Sequence, residues 1–233
     1  MESVSSRKDR AFVQVNSFIR SVYNWMALGL GLTGLVAFYV AHSPSLLKLV
    51  FGNQLLFFGL IIGELGLVFY LSARIQKIQA STATMLFVLY AALNGVTLSS
   101  IFLIYTGASI VSTFFVCAAT FVAISIYGMV TNRDLTSVGN FMVMGLFGII
   151  IASLINMFVR SSAMSMIISY VGVIVFVGLT AYDTQQLKMM ALTQPDDIGA
   201  GAVRKGAIIG ALKLYLDFIN LFLMLLRIMG DRE

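Results

Sequence analysis

Charged residues are scarce in this chain of 233 residues. Asp, Glu, Lys and Arg together make up 11% of it, whereas 59% of the residues are hydrophobic and the mean hydropathy is +0.95. A globular fold keeps about a quarter of its residues charged so that its surface can face water. The composition therefore excludes a soluble domain and predicts an integral membrane protein.

Several residue types that carry chemistry are almost missing. The single cysteine, Cys117, lies inside an apolar run and has no cysteine partner, which excludes a disulfide framework and a cysteine-based metal site. The single histidine, His42, is followed by Ser43 and Pro44 and is interpreted as a solvated loop residue. The net charge is +5, but the fifteen Lys and Arg are spread over short connections, so we expect no nucleic-acid partner.

Long apolar runs are what the chain does contain. Each of the seven runs has roughly twenty residues or more, enough to cross a ~30 Å hydrocarbon core at ~1.5 Å per residue. Residues 1–20 are polar and lack a signal-peptide cleavage site, which predicts a cytosolic tail. Residues 21–233 are predicted to form one all-α domain of seven transmembrane helices. The runs are approximately 23–41, 54–73, 84–105, 108–129, 141–159, 166–192 and 207–229.

Basic residues are distributed unequally between alternate connections. Ten lie on the side of the N-terminus and four on the other side, which predicts a cytosolic N-terminus and a C-terminus on the opposite side. The ten are Arg7, Lys8, Arg10, Arg20, Arg74, Lys77, Arg133, Lys188, Arg204 and Lys205, and the four are Lys48, Arg160, Arg227 and Arg232.

Small and amide side chains inside the runs are interpreted as packing residues. Glycine and alanine let helix backbones approach closely, and buried amides form interhelical hydrogen bonds. The amides are Asn94 and Asn156. The small residues are Gly29, Gly31, Gly34, Ala91, Ala92, Gly95, Ala119 and Ala123.

Three of the ten acidic residues fall inside apolar runs, namely Glu64, Asp183 and Asp217. Ionisable groups are costly in a membrane and often mark ion or proton paths. Counted from the cytosolic ends of their runs, all three lie about 14 Å deep. We therefore expect a cluster near the middle of the membrane. Within it, Asp183 and Asp217 should be in contact, because their helices are consecutive and antiparallel.

Two carboxyl groups in contact within a low dielectric cannot both ionise cheaply, so the Asp183–Asp217 pair would titrate as a unit and could sense protons. When both are ionised, the pair could bind Ca²⁺ transiently, since this ion prefers oxygen ligands. The simpler alternative is that protonated carboxyl groups merely tie helices together by hydrogen bonds.

Two basic residues could act on these acids as a latch. Lys213 lies four residues before Asp217 and could pair with it, or could extend to the cytosolic edge. Arg74 follows Glu64 by ten residues and is interpreted first as an interfacial anchor, with a latch as the alternative.

Three segments resemble the Bax inhibitor-1 family, specifically its bacterial inner-membrane members. They are GVIVFVGLTAYDTQQLK (172–188), GALKLYLDFINLFLMLLRIMG (210–230) and LYAALNGVTLSSIF (89–102), and the resemblance extends from about Arg20 onward. It implies a seven-helix bundle in which the last helix is surrounded by the other six, and a pH-sensitive calcium leak.

The resemblance also implies roles for individual residues. The family's di-aspartyl sensor corresponds to Asp183 and Asp217, and the glutamate and arginine on its second helix correspond to Glu64 and Arg74. Members are further described as suppressing cell death or restraining membrane quality-control proteases.

The residues and the resemblance together predict a proton-gated leak for Ca²⁺ and other divalent cations, without a catalytic residue or a cofactor. Its partners would be Ca²⁺, protons and membrane lipid. One alternative is an interaction protein that acts on a membrane quality-control protease or on stress and cell-death responses. Another is an intramembrane aspartyl protease, which is disfavoured because the segment 213–217, KLYLD, lacks glycines before its aspartate.

Overall fold

The computed structural model describes residues 4–195 and 199–232, with side chains from Val15 onward. Within these residues the chain forms α-helices and one 3₁₀ turn, Ser99–Leu103, and no β-strand, which confirms the all-α prediction. The helices are α1 (Val4–Ala41), α2 (Pro44–Phe51), α3 (Gln54–Arg74), α4 (Ala80–Leu98), α5 (Gly107–Val130), α6 (Thr136–Val159), α7 (Ser162–Leu192) and α8 (Ala200–Met229).

The described part of the chain contains seven helices that are long and apolar enough to cross a membrane: α1 from Val15, α3, α4 with its 3₁₀ turn, and α5 to α8. They correspond to the seven predicted runs. Their outward faces carry large apolar side chains, such as Phe158 at 80% exposure, as expected for helices that contact lipid.

Two helical segments differ from the sequence prediction. Helix α1 begins at Val4, inside the stretch predicted to be a tail. Helix α2 has eight residues, begins at Pro44 and fills a predicted connection. Proline suits the first turn of a helix because its fixed φ angle is helical and its missing N–H is not needed there. Eight residues are too few to span a bilayer.

The chain divides into two compact units. The first comprises Met1–Ile104 and Met190–Tyr215, and the second comprises Tyr105–Met189 and Leu216–Glu233. Helix α8 contributes its first half to the first unit and its second half to the second. The apolar window of α8 is 56% buried, against 6% to 39% for the other six spans. This burial is what a helix bearing Asp217 and Asn220 needs, while its central position in a bundle stays a prediction.

Helix ends that the sequence assigns to one side of the membrane lie together within each unit. In the first unit, Lys205 near the start of α8 donates to the carbonyl oxygen of Gln76, between α3 and α4, at 3.0 Å. In the second unit, the backbone N–H of Thr106 before α5 donates to the carbonyl of Asp231 after α8 at 3.1 Å. The alternation of helix directions agrees with the prediction, and the cytosolic location of the N-terminus remains a prediction.

Close packing of α1 against α4 depends on glycine. A Cβ atom added at Gly95 would lie 2.7 Å from the carbonyl oxygen of Thr33 and 2.8 Å from Cβ of Val36, so the two backbones approach too closely for a side chain. Gly29 is similarly enclosed, with Phe87 at 2.7 Å. At both positions the predicted packing role is confirmed.

The packing interpretation is wrong at four other positions. No atom lies within 4 Å of a Cβ added at Gly31 or Gly34, and Ala119 and Ala123 are exposed. These residues lie on outward helix faces, which residue size alone does not distinguish from the faces that pack.

We expect Gly95→Ala to lower the free energy of unfolding by about 1–3 kcal/mol, because the new methyl group overpacks the α1–α4 contact. Gly31→Ala is the matched control, with an effect within about 0.5 kcal/mol, since the site is open. Unfolding in detergent, followed by circular dichroism, would measure both. Equal effects of the two substitutions would contradict the assigned packing.

Candidate functional site

Glu64 lies at the centre of α3, ten residues from each end of the helix. Its side chain is 8% exposed. Two side chains of α4 hold the carboxylate: the hydroxyl of Thr97 donates to Oε1, and Nδ2 of Asn94 lies 3.4 Å from Oε2. Residues three apart share a helix face, so one face of α4 provides partners for both carboxylate oxygens.

The hydrogen bonds continue beyond Asn94 to two further helices. The hydroxyl of Tyr215 on α8 donates to Oδ1 of Asn94 at 3.1 Å and lies 2.6 Å from Oγ1 of Thr33 on α1. Thr33 in turn donates to the carbonyl oxygen of Ala91 at 2.8 Å. Tyr215 and Thr33 are 0% and 3% exposed. We call Glu64, Thr97, Asn94, Tyr215 and Thr33 the Glu64 chain.

The Glu64 chain can be satisfied in two proton arrangements. With Glu64 ionised, Asn94 donates its amide N–H to the carboxylate, Tyr215 donates to Asn94, and the single hydroxyl proton of Thr33 turns from Ala91 to Tyr215. With Glu64 protonated, its O–H donates to the Asn94 oxygen after the amide turns over, and the remaining donations reverse. Which way an amide points is assigned from its hydrogen bonds, and both arrangements use the same heavy-atom contacts.

Aromatic rings surround the Tyr215 hydroxyl. Tyr90 on α4 and Tyr215 on α8 both interact electrostatically with Glu64. The rings of Tyr90 and Phe87 pack edge-on against Tyr215, with centroids 5.7 and 6.0 Å apart. Water is therefore excluded around the Tyr215 hydroxyl, which strengthens its hydrogen bonds.

The two predicted latch residues are both exposed in the structure. Arg74 is the last residue of α3, about 15 Å along the helix from Glu64, which is beyond the reach of its side chain. Lys213 lies on α8 with an exposed side chain. The position of Arg74 fits the interfacial anchor of the first interpretation.

Asp183 and Asp217 both belong to the second unit. Asp217 is 5% exposed and Asp183 is half-buried. A Cβ atom added at Gly172 of α7 would lie 2.8 Å from Cγ of Met224 on α8, which fixes the register of these antiparallel helices. Eleven residues separate Gly172 from Asp183 and seven separate Met224 from Asp217, so the acids are offset by four residues, about 6 Å along the axes.

This offset favours an encounter of the two carboxyl groups. Each Cβ atom leans toward the N-terminus of its own helix, and here that direction points each acid toward the level of the other. The predicted Asp183–Asp217 contact is compatible with the register and remains a prediction. Glu64 belongs to the first unit and has its own partners on α4.

Metal-binding side chains do not gather in the described ranges 4–195 and 199–232. No three His, Cys, Asp or Glu residues there are close enough to hold an ion together. A Ca²⁺ ion at two aspartates would therefore need further oxygen ligands from backbone carbonyls or water.

Asp134 is an acid outside the spans, between α5 and α6. Hydrogen bonds from the Thr136 side chain and backbone N–H lower the pKa of this exposed carboxyl group. It is therefore ionised throughout the neutral range, and it cannot contribute a pH response there.

Sequence reasoning found part of this site. Asn94 and Asn156 were predicted to form interhelical hydrogen bonds, and both do so; Asn156 donates to the Ser165 hydroxyl at 2.7 Å. Thr33 and Tyr215 were missed. Their signal was a polar group inside an apolar span, which is weak for a hydroxyl because it can bond to its own helix.

Comparison with known proteins gives one family. The model described as "Inhibitor of apoptosis-promoting Bax1" matches residues 15–233. The chain is 55% identical over 219 residues to "Inner membrane protein YbhL" of Escherichia coli (strain K12), covering 94% of this chain and 93% of the relative. A protein of Borreliella burgdorferi is 47% identical over 218 residues, and RP147 of Rickettsia prowazekii is 44% identical over 233. The match to the Borreliella burgdorferi protein covers 94% of this chain and 93% of the relative. The match to RP147 covers 98% of this chain and 96% of the relative. None of these names denotes an enzyme.

We expect Tyr215→Phe to lower the free energy of unfolding by about 1–3 kcal/mol, because Asn94 and Thr33 lose a buried partner. Tyr90→Phe removes the same atom from a neighbouring ring outside the Glu64 chain, so its effect should stay below about 1 kcal/mol. Chemical unfolding in detergent would compare them. If Tyr90→Phe lowered the free energy of unfolding as much as Tyr215→Phe, the hydrogen bonds of the Glu64 chain would not be the stabilising feature.

Proposed function

The chain belongs to the Bax inhibitor-1 family, and from this premise we propose that it is a pH-sensitive leak for Ca²⁺ and other divalent cations. The observation that carries the proposal is the Glu64 chain. A carboxyl group that keeps its hydrogen bonds in both protonation states can exchange a proton inside hydrocarbon without being left unsatisfied. Each exchange reorders donors on α1, α3, α4 and α8.

The proposed location is the bacterial inner membrane, with the protein crossing it seven times. Two observations support this location: the seven apolar helices and the inner-membrane name of the Escherichia coli relative. The cytosolic N-terminus and the opposite C-terminus are retained as part of the proposal, on the count of basic residues.

Helix α3 is the element that we propose to move. Its apolar window is only 11% buried, and its buried residues within the described structure are Glu64 and Leu71. Much of what fixes α3 laterally is therefore the pair of hydrogen bonds from Thr97 and Asn94. Protonation of Glu64 replaces charge-assisted hydrogen bonds with weaker neutral ones, which loosens α3 from α4.

Asp183 and Asp217 are proposed to form the second proton-sensitive element, on the cation path itself. A proton shared by the pair leaves one charge, whereas loss of that proton leaves two and favours a divalent cation. Protons and Ca²⁺ would then compete for the same oxygens. A latch role for Arg74 or Lys213 is retained as part of the proposal; both side chains are exposed.

A second candidate function is an interaction protein of stress or cell-death control. The printed description of the family model, which refers to inhibition of Bax1, favours it. Co-purification of a membrane quality-control protease that survives loss of both aspartates would support this candidate. The intramembrane aspartyl protease alternative is further disfavoured, because Tyr215 in the KLYLD segment is fully buried and not accessible to an extended substrate.

In liposomes, the purified protein should release entrapped Ca²⁺ at a rate that depends on pH. Asp183→Asn and Asp217→Asn should each reduce the change of the Ca²⁺ release rate with pH by about tenfold, because the pair can no longer share a proton. Asp134→Asn, which changes an exposed acid outside the spans, is the matched control and should behave as the wild type. Absence of Ca²⁺ flux, or a flux that is independent of pH and of both substitutions, would reject the leak and favour the second candidate, the interaction protein.

Thr97→Val should move the pH midpoint of the flux upward by about one unit. The variant removes a hydrogen bond that favours the ionised form of Glu64, and one unit corresponds to about 1.4 kcal/mol. Thr97→Ser keeps the hydroxyl and should keep the wild-type midpoint. An unchanged midpoint in Thr97→Val would exclude Glu64 from the pH response even if the leak itself is present.

A further inference from the structure

Helix α5 has a buried polar face in the second unit. Ser109, Thr113, Cys117, Phe121 and Ser125 recur every four residues and are all buried. Positions four apart lie on one side of a helix, so this face continues along most of α5. It contains three hydroxyl groups, although apolar side chains would suffice for the packed face of a membrane-spanning helix.

Two of these hydroxyls are unusual. Thr113 and Ser125 are 1% and 5% exposed, and neither Oγ atom has a hydrogen-bond partner in the part of the chain that the structure describes. Other buried hydroxyls of the same unit bond to their own helix: Ser169 to the carbonyl of Ser165, and Thr180 to that of Phe176. The α5 hydroxyls do not use this local option, so they are directed away from their helix backbone into the packed face.

The face packs against α7 and α8. Cys117 Sγ lies 3.7 Å from the carbonyl oxygen of Phe218, and a Cβ atom added at Gly128 would collide with the carbonyl oxygen of Ala181. Ser109 is bonded to Asp231, to its backbone N–H at 3.0 Å. Helices α5 and α8 therefore run antiparallel, and α5 follows α8 from its C-terminal end to the level of Phe218.

This register places Asp217 between the two hydroxyls. Phe218 contacts both Cys117 and Phe121, with a ring separation of 5.4 Å to Phe121, so the adjacent Asp217 lies at their level. Thr113 is four residues before Cys117 and Ser125 four residues after Phe121, each about 6 Å further along the axis. The Thr113 hydroxyl thus lies toward the N-terminal end of α5, where Asp231 is bonded, and the Ser125 hydroxyl lies toward the C-terminal end of α5.

An aromatic contact lies between the levels of the two hydroxyls. The rings of Phe121 and Phe218 are 5.4 Å apart, and Phe114 packs against Phe218 and Phe222 at 5.6 and 6.4 Å on the Thr113 side. Apolar constrictions of this kind can close a pore by excluding water, while hydroxyl oxygens suit water and hard cations on either side.

We propose that Thr113 and Ser125 are the water- and cation-contacting positions of a path along α5, and that the Phe121–Phe218 contact is its dry constriction. The proposal rests on the proposed leak, whose route it specifies. It also explains why two buried hydroxyls are directed into the face instead of bonding to their own helix. The competing explanation is dry packing in which both hydroxyls are simply left unsatisfied.

The test measures thiol reactivity in sealed liposomes. In a Cys117→Ala background, Thr113→Cys and Ser125→Cys are exposed to a membrane-impermeant, positively charged methanethiosulfonate reagent added to one side at a time. Ala123→Cys is the matched control, because Ala123 is a small exposed residue of the same helix facing away from the packed face. A thiol needs water to ionise and react, so both test thiols should react about tenfold faster than the control. They should react from opposite sides of the membrane.

Reaction of either test thiol at the rate of the control overturns the path. Modification should also reduce Ca²⁺ flux about tenfold, because it fixes a positive charge in the route. Unchanged flux after complete modification overturns the assignment of this route to cations. Labelling without any Ca²⁺ flux in the unmodified protein rejects the leak instead and leaves only a water path, so the two failures are distinguishable.

A second measurement covers thiol variants that do not fold. Thr113→Val and Ser125→Ala, made in the otherwise unchanged chain, remove the hydroxyls with almost no change of shape. They should reduce Ca²⁺ flux several-fold at an unchanged unfolding temperature. Wild-type flux in both would overturn the proposal.

Discussion

Hydrocarbon offers no hydrogen-bond partner, and this constraint governs every polar group in the seven spans. A carboxyl, amide or hydroxyl group inside a span must find its partner within the protein or in water that the protein admits. Glu64 meets this requirement with two donors from one face of α4. One of them, Asn94, is in turn bonded by Tyr215, and the Tyr215 hydroxyl is bonded to that of Thr33. The result is a line of hydrogen bonds across four helices rather than an isolated acid.

The same constraint explains why these helices are held in place at all. Apolar side chains gain nothing by leaving lipid for protein, so helix association depends on close packing and on polar contacts. The α1–α4 contact shows both: Gly95 lets the backbones approach at Thr33, and the Thr33 hydroxyl bonds to the carbonyl of Ala91, one turn before Gly95. A proton that reorders the Glu64 chain therefore acts on the interactions that position α3 and α8.

The fold could be predicted from the sequence because its main determinant is length and apolarity, which the seven runs display directly. The faces of the helices could not, since Gly29 and Gly31 read alike although only Gly29 packs closely. Glu64 and Asp217 were recognised because a buried charge is costly wherever it lies. Thr33 and Tyr215 were not, because the cost of a hydroxyl depends on its tertiary partners, which no local pattern contains. Helix α2 was missed because an eight-residue apolar segment is equally typical of a connection.

The central claim is that protonation of Glu64 is linked to the opening of the leak. Infrared titration of the protein, with isotope-labelled glutamate and Glu64→Gln to identify the Glu64 carboxyl band, would measure its protonation in the same liposomes used for Ca²⁺ flux. The account predicts that the band and the flux change over the same pH interval, and that Thr97→Val shifts both together. A Glu64 band that stays constant while the flux changes would contradict it.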